Sequence, residues 1–306
     1  MSYKLTILGS SSAIPTIDKN PTAQLLNANE RFFLIDCAEG TQVQLRKNKI
    51  KFHKINRVFI SHLHGDHYFG LIGLISTMHL LGREKDLHIY AHPKLKEIID
   101  MQLESSRTEL CYPLFFHSLT PGKSDVLFED KKIKISTFPL KHGIDCNGFL
   151  FQEKRPLRKI LSEKIQEYNI PIEKIQEIKS GSDFFTEDDV KILNQEITVE
   201  NQRASSYAFC SDTSYNEEMI DDVKGVDLLY HETTFTQDRQ ERAFETNHST
   251  TIDAATIAKK AEVRNLLIGH FSQRYKEGDK LLKEVKSIFK NSIIAKQGIT
   301  IDFSEL

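Results

Sequence analysis

Cysteine is scarce and unpaired in this 306-residue chain: Cys37, Cys111, Cys146 and Cys210 lie far apart and no CxxC pair occurs. That excludes a disulfide framework and a thiolate zinc site, favours a reducing compartment, and leaves the four as small buried hydrophobes. Long apolar runs are missing too. The most apolar stretch, Tyr68 to Gly82, is broken by Ser76, Thr77 and His79 and falls short of the roughly 20 residues of a membrane span. The opening MSYKLTILGSSSAIP lacks the apolar core of a secretory signal, so a cytoplasmic location and no membrane partner are expected. Internal repeats, low-complexity tracts and a Pro/Gly-rich linker are likewise absent. Neither sign of charge dominates, since 41 Lys and Arg oppose 43 Asp and Glu for a net −2. A nucleic-acid partner would therefore need a local basic surface or a cationic site, because the field of the whole molecule will not attract it.

What is present is a series of short β-branched or aromatic runs. About ten are expected as strands: 4–8, 31–35, 57–61, 88–91, 132–138, 148–152, 206–211, 227–230, 265–269 and 298–303. Amphipathic patterns at 68–81, 93–104, 251–261 and 279–289 predict helices long enough to cover a sheet face. The class is α/β or mixed, with sheets covered by helices. From about Glu153 to Gln202 the strands are expected to stop and charge density rises, as in RPLRKILSEKIQEYN and IPIEKIQEIK, which marks an insertion. Seven Lys/Arg against four Glu within 154–181 fit a solvated helical face as readily as a nucleic-acid arm.

The sharpest signal is SHLHGDH, directly after the apolar run RVFI. His62, His64, Asp66 and His67 bring four N/O donors together within one turn, and such a group is hard to bury without a cation. Other apolar runs also end in a group able to bind or orient a metal: Asp36, His142, Asp212, His231 followed by Glu232, and His270. Donors at strand ends share one sheet edge, where residues distant in sequence can meet. His62, His64, Asp66, His67, His142, Asp212 and His270 make seven candidate ligands, too many for one tetrahedral ion and suited to two ions sharing a carboxylate. Five imidazoles and two carboxylates without a thiolate suit Zn2+ best and leave Mn2+ or Fe2+ open. Two divalent ions less two carboxylates and a hydroxide retain a charge of about +1, matched to a phosphodiester.

HLHGDH with this strand-end pattern resembles the metallo-β-lactamase superfamily. Together with ILGSSSAIPT, LIDCAEGTQ, SDT at 211–213, HETTF at 231–235, NHSTT at 247–251 and GHFSQRY at 269–275, it resembles the tRNase Z family of tRNA 3′-processing endoribonucleases over nearly the whole chain. The resemblance implies an αββα sandwich of four layers with a protruding helical arm, a single domain over 1–306 with the arm at 153–202. It implies His62, His64 and His142 on one zinc, Asp66, His67 and His270 on the other, and Asp212 between. It further implies that a metal-bridging hydroxide attacks phosphorus, that Asp66 orients or deprotonates it, and that Glu232 with His248 protonates the leaving 3′ oxygen. Asp36 matches a carboxylate orienting a ligand histidine, against its alternative as a cap near Gly40; His231 is expected as a hydrogen-bonding support.

The implied reaction is removal of 3′ trailers from precursor tRNA after the discriminator base, leaving a 3′ hydroxyl, by a cytoplasmic homodimer. Lys154, Arg155, Arg158 and Lys159 are the implied phosphate contacts of the arm, although IPIEKIQEIKSG stands where bacterial relatives carry a Gly/Pro-rich tip. The alternative is a dizinc hydrolase of small phosphodiesters or another superfamily substrate.

Overall fold

The computed structural model describes residues 3–154, 157–201, 203–275 and 278–306. Alternating apolar strands assemble two seven-stranded sheets. The first runs, in spatial order, Thr300–Asp302, Tyr3–Gly9, Ala23–Ala28, Arg31–Ile35, Ile55–Phe59, Leu87–Ala91 and Leu114–Ser118. The second runs Ser292–Ile294, Asn265–Gly269, Leu228–Glu232, Ser206–Cys210, Cys146–Glu153, Ile133–Leu140 and Asp125–Glu129. All ten expected strands are present within a few residues. Four more were not expected: Ala23–Ala28 holds two amides in AQLLNA, Leu114–Ser118 and Asp125–Glu129 are edge strands exposed along much of their length, and Ser292–Ile294 has three residues. Each lacks the full alternation that marks a half-buried strand.

The period of two sorts the side chains into layers. Phe33, Phe59, Phe149, Phe151 and Tyr207 face between the sheets and touch ring to ring, Phe33 with Phe151 at 5.8 Å and Phe59 with Phe149 at 5.4 Å. On the outer side of the first sheet Leu34, Val58 and Ile89 pack with Leu45, Leu74, Ile75, Leu95 and Ile99 of helices Thr41–Lys47, Leu71–Leu80 and Lys94–Ser105. On the outer side of the second, Ala208, Leu229 and Ile268 pack with Ala255, Ala258, Leu281 and Val285 of helices Thr251–Lys260 and Asp279–Ile288. The result is helix, sheet, sheet, helix. No helix of the described residues is long and apolar enough to cross a membrane. The cysteines are all free, and Cys111 is exposed, contrary to expectation. It follows the helix Lys94–Ser105 in a loop and spends its thiol on the carbonyls of His79 and Arg83.

Residues 130–133 and 153–204 form a second compact unit. Its helices Ser162–Glu167 and Ile172–Lys179 were expected, but the strands do not stop there. Lys159–Ile160 pairs with Thr198–Val199, and Phe184–Phe185 with Lys191–Ile192. Two-residue ladders are too short to show a periodicity. The unit has its own core of Ile160, Ile170, Ile178, Phe184, Ile192 and Ile197, and buried Asn194 donates to the carbonyls of Ile178 and Ser182. Its charges pair locally, Lys164 with Glu167 at 2.6 Å and Lys174 with Glu177 at 2.9 Å.

Candidate active site

Strands end together along one edge of the sandwich, and the loops that leave them carry the functional groups. Strand Arg31–Ile35 leads to Asp36, Ile55–Phe59 to His62–His67, Ile133–Leu140 to His142, Ser206–Cys210 to Asp212, and Asn265–Gly269 to His270. Asp36 and His270 have φ of 54° and 59°, a left-handed backbone that non-glycine residues hold only where surrounding structure enforces it. The turn after Asp36 is clamped to the ligand loop: Cys37 N donates to His67 O at 2.8 Å and Gly70 N to Cys37 O at 2.9 Å. A Cβ at Gly70 would sit 2.1 Å from Ala38 O, so only glycine allows this approach.

Two donor groups result: His62, His64, His142 and Asp212 in one, Asp66, His67, His270 and Asp212 in the other, with Asp212 common to both. Asp66 thus faces away from the set of His62 and His64, whereas a simple extended turn would continue their row through it. His64 Nδ1 stands 3.1 Å from both His62 Nε2 and His142 Nε2, near the roughly 3.3 Å edge of a tetrahedron with metal–nitrogen bonds of about 2.0–2.1 Å.

The surroundings decide which nitrogen of each ring is bare. His142 Nδ1 donates to Asn247 O at 2.8 Å and His67 Nδ1 to Asp36 Oδ2 at 2.7 Å. Thr234 gives its hydroxyl proton to Glu232 Oε2 at 2.7 Å and so accepts from His270 Nδ1 at 2.8 Å. Neutral imidazoles so held turn bare Nε2 lone pairs into the cluster. His67 Nε2 is buried without a hydrogen-bond partner, 3.4 Å from Asp66 Oδ2 and 3.5 Å from Asp212 Oδ2. Lone pairs facing carboxylates are stable only around cations, so the donor set fits two divalent ions. The field has the sign such ions require: burial disfavours a charged His67, yet Asp212, Asp36 and Asp66 raise its pKa well above the imidazole range, so the pocket draws positive charge, a proton where no cation is bound. Burial opposes an ionised Asp66, but His67 and His270 pull its pKa down. Asp36 also accepts from Ser61 N at 2.8 Å and Ser61 Oγ at 3.0 Å; it makes no cap of the helix at Gly40.

Glu232, His248 and His270 form a third cluster of potential ligands, but the Glu232 oxygens are already committed. Oε1 accepts from His248 Nδ1 at 2.9 Å, Ser249 N at 2.9 Å and Thr213 N at 3.2 Å, and Oε2 from Thr234 N and Oγ1. A carboxylate so saturated orients a partner and has no lone pair left for a metal. Burial lowers the His248 pKa, but Glu232 more than compensates and the net value rises to about 9. His231 donates Nδ1 to Glu232 O at 2.7 Å, a bond to the backbone of that residue.

His64, Asp66, His142, Asp212, His248 and His270 open into a cavity of about 960 Å³. Its wall also carries Phe69, Arg242 and Arg274, which are not among the site residues expected from the sequence. Arg274 was visible within GHFSQRY, while Phe69 and Arg242 carry no spacing signal. The arm residues belong to the second unit. Arg158 Nε donates to Thr198 Oγ1 at 2.6 Å, Lys159 is exposed and Lys154 half-buried, and Arg155 lies outside the described residues.

Residues 3–157 match the family model described as anti-Pycsar protein Apyc1. The chain is 44% identical over 299 residues to the ribonuclease Z of Bacteroides thetaiotaomicron, covering 98% of this chain and 95% of the relative. Among solved structures, the short form of human tRNase Z is similar with a TM-score of 0.72 at 27% identity, covering 97% of this chain and 98% of that one. The metallo-β-lactamase fold protein YhfI of Bacillus subtilis shares the fold at a TM-score of 0.69 and 20% identity, over 99% of this chain and all of that one. By its identity along almost the entire length to such relatives, the chain belongs to the ribonuclease Z family.

Proposed function

We propose that this ribonuclease Z is a zinc-dependent endoribonuclease that removes 3′ trailers from precursor tRNA, cutting after the discriminator base and leaving a 3′ hydroxyl. The observation that carries the reading is the pairing of two donor groups sharing Asp212 with an imidazole beside them that is held by the buried Glu232. Bound zinc ions would supply Lewis acidity and the positive charge that a phosphodiester transition state needs. His62, His64 and His142 would hold one ion, Asp66, His67 and His270 the other, and Asp212 both. Asp66 orients the attacking water and takes up its proton, a role supported by its place at the cavity wall. His248 carries a proton at neutral pH and delivers it to the leaving 3′ oxygen, while Glu232 fixes the ring through Nδ1. Residues 153–202 are proposed as the tRNA-binding arm, with Lys154, Arg155 and Lys159 as contacts; the homodimer and the cytoplasmic location rest on the family resemblance.

The test compares metal-depleted and zinc-restored protein on a 3′-extended precursor tRNA and on a chromogenic phosphodiester. Zinc should restore both activities, with the RNA cut at one position. Turnover of the small compound with the RNA left intact would reject the tRNA reading and spare the metal centre.

A further inference from the structure

Phe69 is a large apolar side chain left 63% exposed on the wall of the cavity, immediately beyond the ligand loop. Phe235, the other phenyl ring of that wall, is 5% exposed. The Phe69 ring is fixed from behind. A Cβ on Gly65 would lie 2.1 Å from its Cε2, so the ring rests directly on the backbone between ligands His64 and Asp66, and Tyr68 meets it edge-on at 5.1 Å. Its main chain is pinned as well, with Phe69 N donating to Gly65 O at 2.9 Å and Gly70 held against the turn 36–38. A rigid ring with a free surface beside the reacting centre is an aromatic platform presented at little conformational cost. The same wall carries cationic groups, Arg242 paired with Glu245 at 2.8 Å and Arg274 over the Phe235 ring at 5.5 Å, whereas a phenyl ring offers no charge to a phosphate. A nucleobase is the part of a polynucleotide that covers such a ring, and base–aromatic stacking tolerates any base.

We propose that Phe69 is a specificity-determining residue whose ring stacks on a nucleobase flanking the cleaved phosphodiester, so that the site demands a base next to the bond it cuts. This rests on the RNA reading above. A chromogenic phosphodiester carries an aryl group that can itself lie on the ring, so RNAs lacking a single base, with the same backbone, are the controls.

The experiment is a double-mutant cycle between protein and RNA. Intact precursor tRNA and two versions abasic on either side of the cleavage point are given to the wild type, Phe69→Ala and Phe69→Trp, all loaded with zinc. Phe69→Ala should raise KM for intact RNA about 5- to 100-fold with kcat little changed. One of the abasic RNAs should cost the wild type a similar factor and cost Phe69→Ala nothing further. Because the chain has no tryptophan, Phe69→Trp supplies a single tryptophan that can be excited selectively over the tyrosines, which should recover the KM and be quenched by intact RNA at a chelated, non-cleaving site. Additive losses or an unquenched Trp each overturn the stacking role. Phe69→Leu, which keeps the apolar bulk, serves if Phe69→Ala fails to fold. Cleavage of intact RNA by the wild type keeps the two readings apart: without it the RNA reading falls and stacking with it, and with it additive losses remove the platform alone.

Discussion

At the scale of single residues, the site is organised by second partners. Each of His67, His142 and His270 spends Nδ1 on an oxygen, from Asp36, Asn247 and Thr234, and thereby commits Nε2 to the cluster. Glu232 holds His248 in the same way, and its negative charge, like that of Asp36 beside His67, favours the protonated ring. Burial by itself drives the His248 pKa down and Glu232 drives it up to about 9. A proton donor is active below its pKa, so the rate should fall as pH rises through that value. Replacing Glu232 by Gln keeps an acceptor but removes the charge, leaving burial as the leading influence. The prediction for Glu232→Gln is that the alkaline limb of kcat/KM on precursor tRNA, whose leaving 3′ oxygen has to be protonated, moves to lower pH, and a limb that stays in place would mean another group supplies the proton.

At the scale of elements, strands are where the sequence speaks most clearly. Runs such as RVFI and NLLIG end in the donors they carry, so the seven ligand candidates are legible from residue order alone. Their division into two groups was implied by the family resemblance only, since it depends on how loops after separate strands turn toward each other. Elements with weak periodicity were invisible: the amide-bearing strand Ala23–Ala28 and the two-residue ladders of residues 153–204. Residue type alone does not show how an arm side chain is held. Arg158 resembled a phosphate contact, yet its guanidinium is bound to Thr198 and lies 3.5 Å from Glu200, tying together the segments that form one ladder. Lys159, next to it, is exposed on that ladder. Lys159→Ala should therefore weaken precursor-tRNA binding and reduce the slope of log K against log salt by about one, with thermal stability unchanged. An unaltered slope would remove Lys159 from the interface. The same measurement on Arg158→Ala should show lower stability as its main effect.

At the scale of the whole molecule, the near balance of charge conceals a local imbalance. Asp36, Asp66 and Asp212 crowd around His67, and the donors come from both halves of the sandwich, His62 to His67 from a loop of the first sheet and His142, Asp212 and His270 from loops of the second. Cations held there would neutralise the carboxylates and join the two sheets at one edge, which would link folding to metal binding. Free ion at a thousand times its dissociation constant stabilises by about 4 kcal/mol, which for a chain of this size is a shift in Tm on the order of 10 °C. Chelation should lower Tm by that much, and excess zinc should restore it. His270→Ala separates this linkage from a general effect of the chelator: it removes a ligand of one group and leaves the sheets intact, so its Tm in zinc should already lie below the wild type and respond less to chelation. Equal chelation shifts in both proteins would mean that the ions do not hold the sheets together through this edge.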